Sequence, residues 1–223
     1  MAKDFNPALY YRFLTPFYDL LFKCFLPEKK IYSTFIKHLH IEAGAKVIDL
    51  GCGTATLTIK LAGTFKNAAI IGIDADDQIL AIAKSKEQLT NLQLATGNAS
   101  KLNFESQSID TIVSSFLFCN LTDEHKLKTL AEVKRVLKSG GRFYITEWGK
   151  PESVIASVGF YILQLAGGFI NTKFVRSGQL IVFLETTGFN VKQLNKINTV
   201  LGTVYFYEAE DGIAVKTPKE KCI

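Results

Sequence analysis

From residue 45 to residue 148 the chain switches repeatedly between two periods. "AKVIDL" (45–50), "AAIIGID" (68–74), "LQLATGN" (92–98), "IDTIVSSF" (109–116) and "RFYITEW" (142–148) are short, largely apolar runs of the strand type. Between them, "ATLTIKLAG" (55–63), "DDQILAIAKSKEQL" (76–89) and "DEHKLKTLAEVKRVLKSGG" (123–141) place apolar residues at helical spacing. Near-continuous apolar strands separated by amphipathic helices suit a parallel sheet covered on both faces. The expected class is α/β: a doubly wound, mostly parallel sheet with helices on both faces. Asp76 or Asp77 is expected to open the second helix, and Gly140–Gly141 to cap the third. Further on, "GQLIVFLETTGF" (178–189) reads as helix then turn. "NVKQLNKI" (190–197) and "VLGTVYFYEAE" (200–210) read as a closing pair of strands. That makes a seven-stranded sheet with an antiparallel terminal strand.

A chain of 223 residues suits one buried core. Residues 1–223 are read as a single domain. Residues 1–44, aromatic-rich, form an N-terminal helical cap, and 151–177 a substrate-cap insertion. The net charge is +5 with a pI near 8.9. The lysines are scattered, which excludes nucleic acid as a partner but leaves an anionic ligand or membrane surface open. Cys24, Cys52, Cys119 and Cys222 form no CxxC pair and no zinc-spaced cluster, so no metal is expected. The N-terminal "MAKDFNPALYYRF" lacks an apolar signal core. A reduced, cytoplasmic setting is expected. "VIASVGFYILQLAGGFI" (154–170) is uncharged yet shorter than the ~20 residues a spanning helix needs. A buried cap helix is the leading reading, and a peripheral membrane contact is the alternative.

The chemistry concentrates in "KVIDLGCGTATLTIKLA" (46–62). Glycines after a strand let a ligand approach the backbone, and the following helix offers free N–H groups. The spacing is not that of a dinucleotide fingerprint, because Thr56 stands where its third glycine would be. No Gly-Lys-Ser/Thr makes a P-loop. Asp49 sits in front of the turn, where a carboxylate repels a pyrophosphate but suits a cationic amino group. Asp74 ends the second strand, the position from which a carboxylate grips two ribose hydroxyls. A ligand with a ribose, a cationic end and no required phosphate fits S-adenosylmethionine.

Residues 45–148 resemble the class I S-adenosylmethionine-dependent methyltransferases, through "VIDLGCGTATLTIKLA", "GIDADDQIL", "GNASKLNF", "DTIVSSFLFCNLTD" and "EVKRVLKSGGRFYITEWGKP". Within that Rossmann-like class the last two segments are most similar to the ubiquinone/menaquinone C-methyltransferase branch. The family's usual Pro-Gly-Gly is Ser139–Gly140–Gly141 here, and Ala55 replaces the third small residue of the turn. The resemblance implies that Asp49, Gly51, Cys52, Gly53 and Thr54 surround the methionine end of the cofactor. Asp74 and Ala75 would hold the ribose, Asn98 and Ala99 the adenine. Ser115 and Phe116 would line the path of the methyl group, and Tyr18, in "LTPFYDLLF", would reach over the cofactor. S-adenosylhomocysteine is the product.

Plainer readings compete at several positions. Asp49 alone could be a turn cap, and Cys52 is small packing rather than a nucleophile, since nothing adjacent lowers its pKa. Asn120 matches the quinone branch, or else caps the helix starting near Thr122. Tyr18 could be an aromatic staple. His38, His40 and His125 read as surface or helix residues. No catalytic base is assigned; Tyr18 and His125 are the weak candidates. The expected acceptor is a small, hydrophobic, quinone-precursor-like molecule. The nearest alternative is phospholipid N-methylation, and one of another class is a non-catalytic cofactor-binding module. A nucleobase amino-methyltransferase is disfavoured, because Ser114–Ser115–Phe116–Leu117 carries no prolines. Oligomeric state is not legible.

Overall fold

Strand β1 (Lys46–Leu50) is buried at every position after its first, as the interior of a two-faced sheet requires. The computed structural model describes residues 26–86, 89–154, 156–159, 161, 174 and 177–212. It opens with α1 (Glu28–His38), whose Ile31 and Phe35 are buried. After β1 come α2 (Thr56–Thr64), β2 (Ala69–Asp74), α3 (Asp77–Lys84), β3 (Leu92–Thr96) and β4 (Ile109–Ser115). A 3-10 turn (Phe118–Asn120) leads to α4 (Asp123–Val136), then β5 (Leu137–Gly149), α5 (Leu180–Thr186), β6 (Phe189–Thr199) and β7 (Gly202–Asp211).

The strands form one seven-stranded sheet in the order β3-β2-β1-β4-β5-β7-β6. β1 pairs in parallel with β2 and β4, which places the switch in winding direction at β1 and β4. Only β7 runs against its neighbours, antiparallel to both β5 and β6. The expected sheet class is therefore present. The last strand among the described residues lies between β5 and β6, because a hairpin returns β7 into the gap.

Two helix ends differ from the sequence reading. The third expected helix, α4, stops at Val136 rather than at Gly140–Gly141. Leu137 already pairs with Ile109, and the register then jumps to Thr111–Arg142. Residues 138–141 thus bulge out of the ladder, with Gly140 at φ +75°. A Cβ on Gly141 would stand 2.8 Å from Leu137 Cγ and 3.0 Å from the Asp110 carbonyl. These glycines serve a strand bulge rather than a helix cap. The second expected helix ends as α3 at Lys84, where the Ser85 hydroxyl turns back to the Ile82 carbonyl at 2.8 Å. Its start is Asp76, which accepts from the backbone N–H of Gln78 and Ile79.

Of the expected N-terminal cap, residues 1–25 lie outside the described residues, as does most of 154–170. Among the described residues no helix is long and apolar enough to cross a membrane.

Candidate functional site

The turn after β1 is tied to the end of β2. Gly51 and Cys52 both donate their backbone N–H to the Ile73 carbonyl, at 2.8 and 2.9 Å. Gly53 N donates to Asp74 Oδ2 at 2.8 Å, and Asp76 N to Oδ1 at 3.0 Å. Each Asp74 oxygen therefore holds one backbone bond and retains a lone pair. A vicinal diol can occupy that remaining pair.

The turn is left-handed at Gly51 (φ +75°), Gly53 (+54°) and Ala55 (+62°). A Cβ on Gly51 would lie 2.9 Å from Leu117 Cδ1, whereas one on Gly53 meets nothing within 4 Å. Gly51 is thus bare because the turn after β4 packs on it. Gly53 is bare where the chain faces open space.

Asp49 is buried, 1% exposed. Its Oδ2 accepts from the Thr58 hydroxyl at 2.6 Å. Among the described residues its Oδ1 has no hydrogen-bond partner. Burial raises its pKa to about 7, the Thr58 bond opposes this, and the nearby Asp74 charge adds to it. Burial also raises Asp74, against the backbone donors that favour its charge. Two close carboxylates, one with an unanswered oxygen, fit a ligand that brings both hydroxyls and a positive amino group. The residues present therefore fit the expected cofactor.

Asp49, Gly51, Cys52, Gly53, Thr54, Asp74, Ala75, Asn98, Ala99, Ser115 and Phe116 all line one cavity at the carboxyl ends of β1, β2 and β4. Tyr18 lies outside the described residues. Asn98 Oδ1 accepts from Ser100 N at 2.8 Å, which holds the turn after β3. Its other lone pair and its amide N–H groups remain for a ligand. Cys52 is buried and its pKa is raised by that burial, with the Asp49 and Asp74 charges adding to it. It is packing, not a nucleophile.

Sequence reasoning missed part of the wall: Leu26, Ile31 and Tyr32 reach the cavity from α1 and the residues before it, and Leu117 from the turn after β4. Asn120 and His125 line it too. The Ser115 hydroxyl donates to Tyr32 Oη at 3.4 Å, which joins α1 to the end of β4. His125 reads in the sequence as a surface or helix residue, with a weak claim as a base. It sits in the first turn of α4 with Nδ1 2.7 Å from the Thr122 hydroxyl, and it lines the cavity. Asn120 caps no helix, for Thr122 is the N-cap of α4 and accepts from His125 N. Asn120 Nδ2 instead donates to the Phe116 carbonyl at 2.8 Å.

A doubly wound sheet whose first two strands end in a bare, acidic turn defines a nucleoside-binding, Rossmann-like enzyme. A methyltransferase-domain family matches residues 47–141. A demethylmenaquinone methyltransferase of Lactobacillus johnsonii is 30% identical over 193 residues, which cover 77% of this chain and 78% of that protein. One of Staphylococcus saprophyticus is 28% identical over 178 residues, 77% of this chain and 74% of its own. Among solved structures, a SAM-dependent methyltransferase from Aquifex aeolicus has a TM-score of 0.60 at 22% identity, covering 84% of this chain and 89% of that one. Phosphoethanolamine N-methyltransferase 2 of Haemonchus contortus, in complex with S-adenosyl-L-methionine, has a TM-score of 0.62 at 17% identity, covering 82% of this chain and 53% of that one. These two structures share the fold. The chain belongs to the class I S-adenosylmethionine-dependent methyltransferases, and its similarity runs to the ubiquinone/menaquinone branch. It is an enzyme, and its cofactor is S-adenosylmethionine.

Proposed function

We propose that the enzyme methylates a hydrophobic, quinone-precursor-like ring, and that the cavity holds the cofactor at its acidic end and the acceptor at its apolar end. The observation that carries this reading is the make-up of the one cavity. The diacid turn forms one side, and Leu26, Ile31, Phe116, Leu117 and Leu121 supply apolar wall. In this reading Asp74 takes the ribose hydroxyls, with Ala75 beside it. Asp49 answers the amino group, and Gly51, Cys52, Gly53 and Thr54 give backbone contact. Asn98 and Ala99 meet the adenine, and Ser115 and Phe116 flank the transfer path. Bound S-adenosylmethionine supplies an electrophilic methyl group on a sulfonium. The protein's part is to hold the ring in line and to exclude water. Orientation of this kind is worth ~7–11 kcal/mol of barrier. A pocket of low polarity does not oppose a step in which the sulfonium charge is cancelled.

The same reading makes residues 1–223 a single domain, with 1–44 and 151–177 as its caps. The cap contribution of α1 is supported by Ile31 and Tyr32 in the wall. A prenylated ring resides in a bilayer. Val154, Val158 and Tyr161, exposed by 81%, 56% and 53%, support a peripheral membrane contact. Co-sedimentation with anionic vesicles, lost in Val154→Asp/Val158→Asp, tests that contact, and equal recovery in the supernatant contradicts it.

The test of the acceptor uses methyl-labelled cofactor with two substrates in parallel: a reduced, demethylated naphthoquinone and phosphatidylethanolamine vesicles. Label on a ring carbon supports the proposal. Label on the headgroup nitrogen alone overturns it in favour of phospholipid N-methylation.

A further inference from the structure

Glu147 lies in β5 with its side chain wholly buried, 0% exposed, and nothing in the proposed chemistry uses it. Its partners are groups of the backbone. Oε2 accepts from Cys119 N at 3.0 Å and Oε1 from Trp148 N at 2.9 Å. The Cys119 thiol points instead to the Phe116 carbonyl, at 3.3 Å. Phe118 and Cys119 begin the 3-10 turn that links β4 to α4.

That turn leaves β4 by an uncommon route. Phe116 has φ +53°, a left-handed conformation that a bulky side chain adopts only when its surroundings impose it. Phe116 N donates to the Thr146 carbonyl at 2.9 Å, and the Phe116 carbonyl accepts from Asn120 Nδ2 at 2.8 Å. The Phe116 ring stands 5.4 Å, centroid to centroid, from Trp148. Phe116, Leu117, Asn120 and Leu121 all line the cavity. A buried carboxylate that accepts from the Cys119 N–H of the turn therefore sets where this wall stands.

We propose that Glu147 is a positioning residue: by holding the backbone N–H of Cys119 it fixes the cavity wall against which the methyl acceptor lies. The proposal rests on the reading of the apolar end as the acceptor side. The carboxylate acts through the turn and touches neither reactant. The titratable groups around it are Cys119 of the turn and Tyr207 of β7. Burial holds their protons more tightly and the Glu147 carboxylate adds to this, together with Tyr205 at Tyr207, while Lys126 of α4 opposes it at Cys119. Glutamine at 147 keeps the shape but offers one oxygen where two N–H groups each need an acceptor, and its NH2 must face the other.

Two measurements test this. The first compares wild type with Glu147→Gln by calorimetry with S-adenosylhomocysteine and by steady-state kinetics with the demethylated naphthoquinol. The expected result is a cofactor dissociation constant within twofold of wild type and an acceptor KM raised at least tenfold. An unchanged KM overturns the proposal, as does a parallel rise of both constants, which is general loss of structure. The second is amide hydrogen exchange on both proteins. The Cys119 amide is expected to exchange at least 100-fold slower than in a free peptide. Glu147→Gln should release this amide while those of β1 and β4 stay protected. Free-peptide exchange at 119 in wild type overturns the proposal. If wild type methylates no naphthoquinol, the acceptor reading fails by itself. The exchange experiment still decides whether Glu147 holds the turn.

Discussion

Asp49 is at odds with its surroundings unless a cation meets it. In the unfolded chain its carboxyl ionises near 3.8, but in the folded, cofactor-free protein burial holds the proton to about 7. Glu147 behaves alike, its pKa raised by burial from 4.5 to about 7. Folding therefore takes up protons between these values. The stability of the cofactor-free protein should fall as pH rises from about 4 to about 7, and level off above. Asp49→Asn should remove part of that slope. It should stabilise the cofactor-free protein at pH 8 by up to ~4 kcal/mol, the ceiling set by a shift from 3.8 to about 7 at ~1.4 kcal/mol per unit, while weakening cofactor binding. Urea midpoints at pH 5.5 and 8 check the first, and a lower midpoint for the variant at pH 8 contradicts it. Ala55 poses a different problem, a Cβ in a left-handed position at φ +62°. Ala55→Gly should raise stability by up to ~1 kcal/mol, the lower end of the left-handed penalty, read as a higher melting temperature with unchanged cofactor affinity.

At the scale of elements, β1 and β4 were legible because each is a short apolar run that the sheet buries on both faces, while the edge strands β3 and β6 are largely uncovered and were read from β-type residues and bounding turns. Gly72, mid-strand in β2, shows how closely the inner strands are covered. A Cβ there would lie 2.7 Å from Leu94 Cδ2, 3.0 Å from Thr58 Cγ2 and 3.1 Å from Cys52 Sγ. Gly72→Ala should cost ~1–3 kcal/mol by overpacking, measured as a shift in the denaturation midpoint; a neutral effect would show that the strand gives way. What was not legible depended on pairing at a distance. Gly140–Gly141 looks like a helix end in sequence, and only the Ile109–Leu137 pairing reveals a bulge. The insertion of β7 between β5 and β6 leaves no local signature. In the site, Asp49, Gly51, Gly53 and Asp74 could be read from one segment and its neighbour, since strand ends carry them. Ile31 and Tyr32 could not, because helical period says which face is apolar and not which cavity it closes.

Over the whole molecule, the fold converts adjacent strand ends into one charged hollow roofed by apolar segments. Charge and burial oppose each other there until a ligand compensates. Saturating S-adenosylhomocysteine should therefore do more than add stability by mass action, which is ~2.7 kcal/mol at 100 times its dissociation constant. If its ammonium meets the Asp49 carboxylate as proposed, it should also flatten the dependence of melting temperature on pH between 5.5 and 8. Equal slopes with and without ligand would separate Asp49 from the binding site. The most direct test of the account is a calorimetric titration of S-adenosylhomocysteine into wild type and Asp74→Ala, with the fold of each checked by its melting curve. Single-site binding by wild type, weakened in the variant by ~1–3 kcal/mol, is the predicted result. An unaltered dissociation constant in a folded Asp74→Ala protein would contradict the placement of the cofactor between the two acids.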